Sequence, residues 1–401
     1  MKENKFIIIC FFTILFGILI LYPVNFMLVK FNVISIVNSS NKEPITSYRD
    51  DGLFSLVSNQ IEQIKTSLDN KVTNYFPFYS SLNKLDKEIN TSVNKYIYRK
   101  TLNQNYYPMG TNRDGEYIYC NNEHYILQNN LSTPELDERL LEQIEFFNNL
   151  DIGDINIFIP YRFEYTGIDN SVYLRNMSEY RKKFKKELNE NIYIDEFLVN
   201  NKEDYLKYFY KTDHHYNMYG AYESYKIIMD MLGEQVKPAS VVDEKITYYG
   251  SLARSSYSKS IKDSFYTLDV DLGQYDVLVN GKENLKYKPK KILENKNDFY
   301  DYYVNYFNGL FGRVEYDFHD ESKENLLILE DSYGWQIDDL IASHFNKTYV
   351  IDIRHDEYEN GKFYIKDFMK ENNITKVLFL YEAGTTFFDQ YDYGMKDKVV
   401  S

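Results

Sequence analysis

The fold class follows from the stretch Leu326-Leu-Ile-Leu-Glu-Asp331-Ser332-Tyr333-Gly334-Trp335, in which an apolar run leads into a turn and then a helix. Two more apolar runs, Thr348–Ile353 and Lys376–Tyr381, come later in the chain, with helical segments between them. Short apolar strands that alternate with helices are typical of a parallel sheet covered on both faces. The sequence therefore predicts an α/β fold with helices on both faces of the sheet.

The same rhythm begins earlier in the chain. Ile155–Pro160 and Ile192–Ile194 are predicted strands, and the basic amphipathic segment Ser178–Leu188 between them is a predicted helix. Residues 131–401 then form one α/β domain. A Tyr-rich stretch at about 235–320 lacks the rhythm, and we predict an irregular insertion near the end of the sheet.

The N-terminus predicts a membrane anchor. Residues 6–29 form an apolar run without a charged residue, and about 20 such residues can span a bilayer as a helix. Lys2 and Lys5 precede the run, so residues 1–5 are predicted to be a cytoplasmic tip and the remainder to be exported. A cleaved signal peptide is the alternative, but the run is long and no small-x-small site follows it. We expect a single-pass protein of the cell membrane, with its catalytic domain outside the cytoplasm.

A helical and hairpin annex is predicted over residues 30–130. Apolar residues with helical spacing form two sets there: Val57, Ile61, Ile64 and Leu68, and Leu82, Leu85, Ile89, Val93 and Ile97. Glu116–Cys120 and Glu123–Leu127 are predicted to pair as a hairpin around Asn121-Asn122. The annex then leads into a predicted helix with Pro134 in its first turn.

Charge and cysteine content limit the partners. The net charge of -14 disfavours nucleic acid and polyanions, and it favours a neutral or zwitterionic substrate. Beyond the apolar run the chain holds one cysteine, Cys120, so a disulfide within the exported part is excluded.

The first candidate for chemistry is Thr212-Asp213-His214-His215-Tyr216, which precedes a predicted helix from Asn217 to Leu232. Residues two apart in an extended segment share a face, so Asp213 and His215 would lie together while His214 faces away. A carboxylate that holds one imidazole nitrogen presents the other nitrogen as a general base. The alternative is that the Asp-His pair only caps the helix.

The second candidate is Ser332, which lies at the carboxyl end of a predicted parallel strand, where ligands bind in open α/β sheets. The N-terminus of the following helix would offer N–H groups to a developing oxyanion. Asp331 or Ser332 could instead merely cap that helix. The serine and the Asp-His pair support each other, because an activated hydroxyl needs an oriented imidazole.

These motifs together resemble the DHHW family. The resemblance rests on Asp213-His214-His215 followed by an aromatic residue, on Asp331-Ser332-Tyr333 and on Ile351-Asp352-Ile353-Arg354. Tyr75-Phe76-Pro77-Phe78 and Gly115-Glu-Tyr-Ile resemble the N-terminal region of the family. The DHHW family is similar to the alginate O-acetyltransferases of the SGNH-hydrolase superfamily, so the resemblance implies an SGNH-hydrolase-like sheet.

The resemblance also implies roles for single residues. Ser332 would be the nucleophile, His215 the base and Asp213 the group that orients His215. Further residues would lie at the substrate or the oxyanion: Arg354 and Glu382 at the pocket rim, Gly250 in a loop beside the site, Tyr216 where the family usually has Trp, and Asn308 as a side-chain oxyanion donor.

The function implied is that of an anchored, extracytoplasmic O-acyl (acetyl) transferase that modifies a cell-surface or exported polysaccharide through an acyl-serine intermediate. No metal and no cofactor are expected. Acetyl-CoA is cytoplasmic, so the resemblance implies a multi-spanning membrane O-acyltransferase as the acyl supplier. A carbohydrate esterase would use the same residues and stays open as an alternative.

Two further alternatives use other chemistry. Asp-His-His also opens a family of manganese phosphoesterases, but adjacent histidines on an extended backbone do not easily share one ion. A non-catalytic glycan-binding module would use stacking tyrosines of the insertion. The candidates for stacking are Tyr248, Tyr249, Tyr257, Tyr302, Tyr303 and Tyr306.

Overall fold

The computed structural model describes residues 89, 91–101, 106–112, 116–128, 133–161, 177–199, 201–283, 292 and 294–401. All but the first of these belong to one compact unit, Asn90–Ser401. The predicted anchor over 6–29, the Tyr75–Phe78 motif and the predicted helical sets before Ile89 lie outside the described residues. No helix among the described residues has both the length and the apolarity needed to cross a bilayer.

Fifteen strands are described. They are β1 (Tyr107–Thr111), β2 (Tyr117–Cys120), β3 (Tyr125–Gln128), β4 (Ile155–Tyr161), β5 (Ile192–Leu198), β6 (Ser240–Tyr248), β7 (Asp263–Asp269), β8 (Asp276–Val279), β9 (Lys282–Glu283), β10 (Arg313–Asp317), β11 (Asn325–Glu330), β12 (Lys347–Ile351), β13 (Phe363–Tyr364), β14 (Ile374–Leu380) and β15 (Val399–Val400).

The α-helices are α1 (Thr133–Asn149), α2 (Met177–Glu187), α3 (Lys202–Tyr208), α4 (Met218–Leu232), α5 (Ser251–Ser255), α6 (Tyr302–Phe307), α7 (Asp338–Ala342), α8 (Ile365–Glu371), α9 (Ala383–Phe388) and α10 (Met395–Lys398). Ile97–Thr101 is a short π-helix, and Gly334–Gln336 and Asp356–Tyr358 are 3₁₀ turns.

The predicted α/β class is confirmed by an eight-stranded central sheet in the order β5-β4-β14-β11-β12-β10-β8-β9. The first five strands in this order run parallel, and they include every strand predicted in the α/β rhythm. Because side chains alternate along a strand, the sheet separates two cores. Leu326 and Ile328 of β11 pack with α4 and α7 on one face, whereas Leu327 and Leu329 pack with α1, α8 and α9 on the other.

The Tyr-rich segment at 235–320 is not irregular, contrary to our prediction. β6 and β7 pair antiparallel, and β8, β9 and β10 extend the central sheet by antiparallel pairing. In β10, Val314 and Tyr316 are buried, whereas the alternate residues Arg313, Glu315 and Asp317 are partly exposed. This is the alternation of a strand, with tyrosine in place of an aliphatic residue. The central sheet is therefore mixed rather than wholly parallel.

The N-terminal hairpin forms as predicted, because β2 and β3 pair antiparallel, and β1 adds a third strand. Its apolar face packs on Leu252 and Ala253 of α5. The N–H of Tyr125 in β3 donates to the carbonyl of Lys211 at 2.7 Å. The hairpin thereby contacts both loops that approach the predicted site.

Candidate active site

The carboxyl ends of the parallel strands lie at a reversal of strand order. β4 continues outward to β5 through α2 on one face of the sheet, and β11 continues in the opposite direction to β12 through α7 on the other face. Ligands bind at such reversals in open α/β sheets. Asp331 and Ser332 follow β11 directly, Asp352 follows β12, and Glu382 comes just after β14.

The turn that carries Ser332 is held by Asp331. The buried Asp331 carboxylate accepts the N–H of Tyr333 at 2.9 Å through Oδ1 and the N–H of Glu382 at 2.9 Å through Oδ2. The sequence left open whether Asp331 or Ser332 caps the chain after β11. Asp331 has this role, so the Ser332 hydroxyl is not needed as a cap.

The helix predicted after the Ser332 turn is present, but it is short and begins only at Asp338. The 3₁₀ turn Gly334–Gln336 comes first and the five-residue α7 second. The N-terminus of this helix is therefore six residues from Ser332, and it does not supply the partial positive charge that we predicted at the serine.

Ser332, His215 and Asp213 form one chain of hydrogen bonds. His215 Nε2 lies 2.8 Å from Ser332 Oγ, and His215 Nδ1 lies 2.7 Å from Asp213 Oδ1. All three residues come together although 117 positions separate the serine from the histidine. This arrangement can transfer the serine proton to the imidazole.

Asp213 is a buried carboxylate that its neighbours keep ionised. Its Oδ2 accepts the Tyr248 hydroxyl at 2.6 Å and the Ser251 N–H at 2.6 Å. Burial alone would raise the pKa of Asp213, but the adjacent His215 and the nearby His214 and Arg254 hold that pKa well below its usual range. An ionised Asp213 accepts the Nδ1 hydrogen of His215, which leaves Nε2 with the lone pair that faces Ser332.

Residues 209–217, here called the histidine loop, do not have the extended backbone that we predicted around Asp213 and His215. Phe209 and Tyr216 form an isolated antiparallel bridge, and the Tyr210 N–H donates to the His215 carbonyl at 3.3 Å, so the chain between them turns back on itself. His214 consequently does not face away from the site. Its ring centre lies 3.8 Å from that of His215, and its Nδ1 lies 2.7 Å from Ser251 Oγ.

This turn also removes our geometric objection to a metal ion. Ligand atoms of Asp213, His214 and His215 lie within 4.8 Å of one another. Both nitrogens of His215 are already within hydrogen-bond distance of Asp213 and Ser332, at 2.7 and 2.8 Å. An ion bound by His215 would replace one of these contacts, so metal binding and serine activation are competing uses of one imidazole.

Tyr303 belongs to the site, although its sequence context predicted only a residue that stacks on sugars. Its ring stacks on the His215 imidazole with centres 4.0 Å apart and planes 9° apart. Its hydroxyl donates to the Ser332 carbonyl at 2.6 Å. One side chain thus positions both the predicted base and the predicted nucleophile.

The structure corrects the predicted sugar-stacking set accordingly. Tyr248, Tyr302 and Tyr303 are buried, so their rings face protein and cannot form a sugar platform. Tyr257 remains exposed, and Tyr249 and Tyr306 are half-buried.

Tyr216 supports the serine turn from inside the core and does not present a surface to substrate. It is fully buried, its hydroxyl donates to the Tyr333 carbonyl, and its ring meets the Tyr333 ring edge to face at 5.0 Å. The Tyr333 hydroxyl donates in return to the His214 carbonyl. These two tyrosine hydroxyls tie the histidine loop to the serine turn.

Arg354 is engaged by the protein and does not form an open rim. Its Nε and Nη2 donate to the two oxygens of Asp352 at 2.8 and 2.5 Å. The guanidinium also lies over the Trp335 ring, 5.7 Å from its centre. Arg354 therefore packs against the residue three positions after Ser332.

Glu382 is the N-cap of α9. Its Oε1 accepts the Thr385 N–H at 3.1 Å and the Gln390 Nε2 at 3.0 Å. Burial, followed by the nearby charge of Asp331, raises the pKa of Glu382 to about 8. Glu382 also contacts the serine turn, because its backbone N–H donates to Asp331.

Asn308 ends α6 in a left-handed conformation with φ of 55°. The next residue, Gly309, packs so closely on Trp335 that an added Cβ would lie 1.9 Å from the indole. The segment thus lies beside the serine turn, and the role of Asn308 as an oxyanion donor stays a prediction. The Ser332 N–H makes no hydrogen bond to the described residues, so it is a further candidate donor.

Gly250 adjoins Asp213. Its N–H donates to Thr212 Oγ1 at 3.0 Å, so this N–H is not an oxyanion donor. A Cβ at this position would lie 2.4 Å from Asp213 Cβ and 2.7 Å from the Thr212 carbonyl oxygen. Glycine is required here because the loop must come this close for the Ser251 N–H to reach Asp213.

Replacing Gly250 by alanine should therefore displace the loop from Asp213. We expect a loss of about 1–3 kcal/mol in the free energy of unfolding, as for other overpacked sites. Denaturant unfolding followed by circular dichroism measures this loss. Unchanged stability in Gly250→Ala would show that the loop does not pack on Asp213.

Comparisons with known proteins agree with this architecture. No protein-family model matches the chain, and no curated protein matches its sequence. Among solved structures, a DHHW family protein from Eubacterium siraeum superposes with a TM-score of 0.55 at 18% identity, over 73% of this chain and 98% of the other. The chain has the fold of a DHHW family protein.

One other solved structure shares this fold, and a second is similar only weakly. Bacillus cereus PatB1 superposes with a TM-score of 0.55 at 17% identity, over 69% of this chain and 99% of PatB1. The match to the O-acetyltransferase domain of Pseudomonas putida AlgJ covers 72% of this chain and 99% of that domain, at 10% identity and with a TM-score of only 0.37. The resemblance of the sequence to the DHHW family is thus confirmed at the level of the fold.

Proposed function

We propose that this protein is an extracytoplasmic, serine-dependent O-acyltransferase that esterifies hydroxyl groups of a polysaccharide. The observation that carries the proposal is the 2.8 Å contact between Ser332 Oγ and His215 Nε2, with His215 Nδ1 held by Asp213. The DHHW-like fold supports the proposal, since the DHHW family is similar to the alginate O-acetyltransferases.

In the first half-reaction, His215 takes the Ser332 proton as Oγ attacks the acyl carbonyl carbon of the donor. The tetrahedral oxyanion collapses, the donor's leaving oxygen receives the proton from His215, and an acyl-serine remains. In the second half-reaction, His215 takes a proton from an acceptor hydroxyl, which attacks the acyl-serine. Collapse returns the proton to Ser332 Oγ and releases the new ester.

The residues around His215 favour the charged intermediate of both steps. Asp213 stabilises the imidazolium by its charge and fixes the ring. The Tyr303 ring, stacked at 4.0 Å, presents its electron-rich face to that cation. Since the protein's own side chains make both contacts, the site requires little reorganisation when the charge develops.

We further propose that residues 6–29 hold the protein in the cell membrane and that a multi-spanning membrane O-acyltransferase supplies the acyl group. The uncharged N-terminal run supports the first part. The second part follows from chemistry, because acetyl-CoA remains in the cytoplasm and an exported enzyme needs a donor delivered across the bilayer.

Transfer and hydrolysis share the acyl-serine and differ only in the nucleophile that resolves it. Water at about 55 M competes, so a transferase must hold its acceptor hydroxyl near the acyl carbon, where effective molarities can reach about 10⁵ M or more. We expect the full-length chain in nonionic detergent to acetylate an oligosaccharide when given p-nitrophenyl acetate. Mass spectrometry of the sugar measures the transfer.

The control is the same reaction with the Ser332→Ala variant, which corrects for spontaneous acetylation. Transfer is supported if the acceptor speeds donor consumption and the sugar gains acetyl groups only with Ser332 present. If free acetate is the sole product with every acceptor offered, the carbohydrate esterase replaces the transferase.

A further inference from the structure

A groove of about 620 Å³ lies between the histidine loop and the β6–β7 sheet. The histidine loop and α3 contribute Lys207, Lys211 and Asn217 to its walls, and β6 and β7 contribute Thr247 and Asp263. The Ser332 turn is not part of its lining. The groove is therefore a separate feature that shares one wall with the candidate active site.

The groove is positively charged in a chain whose net charge is -14. Lys207, Lys211, Lys245 and Lys262 line it. Lys245 pairs with Asp243, and Lys207 donates to the Tyr208 hydroxyl at 2.8 Å. Lys211 and Lys262 have no ion-pair partner among the residues that the structure describes.

Asp263, the acidic residue that lines the groove, accepts hydrogen bonds from the histidine loop. Asp263 is half-buried and accepts the Lys211 N–H at 3.1 Å, the Thr212 N–H at 2.8 Å and the Thr212 hydroxyl at 2.6 Å. It is directed at the backbone of the histidine loop. The lysine ammonium groups therefore dominate the field of the groove.

Aromatic rings lie beside these lysines. The Tyr219 and Tyr266 rings meet at 66° with centres 5.5 Å apart, and Tyr219 is 41% exposed. An exposed tyrosine ring next to ammonium groups can stack on a sugar ring while the cations bind its acidic substituent. A neutral glycan would leave the lysines unused.

We propose that this groove binds an anionic glycan chain, with carboxylate or phosphate groups on the lysines and a sugar ring on Tyr219. The inference rests on the proposed function, because it assigns the charge class of the polysaccharide acceptor. Asp263 connects the two sites, since it holds Thr212 directly before Asp213. The net charge of the whole chain favours a neutral substrate, but the local charge of the groove favours an anionic one.

The test measures binding without turnover, using the full-length chain in nonionic detergent with Ser332→Ala as background. Dextran oligosaccharides in neutral, carboxymethylated and phosphorylated form share one backbone, so their comparison isolates the charge and its chemical source. We expect both anionic forms to bind at least about tenfold more tightly than neutral dextran, and this preference to vanish at about 1 M salt.

Two matched double variants locate the binding. Lys211→Gln with Lys262→Gln removes two groove charges, and Lys296→Gln with Lys362→Gln removes two exposed charges outside the groove lining. The groove variant should weaken binding of the anionic forms about tenfold, whereas the control should change it less than about twofold. A second groove variant, Tyr219→Ala, leaves every lysine of the groove in place. It should also weaken binding of the carboxymethylated and phosphorylated dextrans. Circular dichroism verifies the fold of each variant.

Two outcomes overturn the proposal: equal binding of neutral and anionic dextran, or equal losses in the groove and control variants. A preference for only one anionic form identifies the substituent as carboxylate or phosphate and supports the proposal. Because binding is measured without Ser332, the groove can fail while the acyltransferase proposal stands, and the reverse also holds.

Discussion

The Ser332→Ala variant should keep its fold and lose turnover of p-nitrophenyl acetate by about 10³-fold or more. The hydroxyl is the only group removed, and the turn that carries it is fastened by Asp331 and by the tyrosine hydroxyls on the Ser332 and Tyr333 carbonyls. Stability should therefore change little while the acyl-serine can no longer form. Release of p-nitrophenol and thermal unfolding measure the two quantities.

The matched control is Ser322→Ala, which removes a hydroxyl from an exposed turn before β11. Its turnover should equal that of the unchanged chain. A fluorophosphonate probe should label the unchanged chain and Ser322→Ala at Ser332, and it should leave Ser332→Ala unlabelled. Full protein-dependent turnover in Ser332→Ala would remove Ser332 from the mechanism.

The two adjacent histidines should differ sharply in effect. His215→Ala removes the group that lies between Ser332 and Asp213, so we expect turnover to fall on the order of 10³-fold or more. His214→Ala removes a ring contact with His215 and a hydrogen bond with Ser251, and it should lower turnover less than about tenfold. Steady-state kinetics with the same ester measures both.

The same pair of variants separates serine chemistry from metal chemistry. If an ion were bound by Asp213, His214 and His215, both alanine variants would lose comparable activity, and a chelator would inactivate the unchanged chain. We expect activity to survive dialysis against EDTA. Loss on dialysis and recovery with a divalent cation would favour the metal alternative.

The sequence could indicate the central contacts because each is marked by a local pattern. Asp213 and His215 lie two residues apart, and Ser332 follows an apolar strand whose carboxyl end has a known position in an α/β sheet. The pairing of Asp213 with His215 was expected from an extended backbone, whereas the structure achieves it with a closed turn. The same two residues meet, but the turn also brings His214 beside them, which the strand argument excluded.

The supporting residues could not be identified in this way. Tyr248 and Tyr303 reach Asp213 and Ser332 from 35 and 29 positions away, and neither lies in a motif. Because the chain has 41 tyrosines, no single tyrosine can be recognised from the sequence as a site residue. Tyr248 and Tyr303 are also buried only because strands β6 to β10 form. Those strands could not be predicted, because tyrosines occupy positions that aliphatic residues usually fill. The positive charge of the groove could not be predicted either, because the net charge of -14 does not indicate which lysines lie together in the fold.

Trp335, packed between Gly309 and Arg354 three residues after Ser332, is the single tryptophan of the chain. Its indole fluorescence is consequently a local signal in a protein whose other strong chromophores are tyrosines. Excitation at the red edge of the absorption band selects this one ring. We expect acylation of Ser332 to change the surroundings of this indole, which belongs to the same turn. Emission recorded in a stopped-flow instrument would then follow the proposed acyl-serine as it forms and decays, without a label and with any acyl donor.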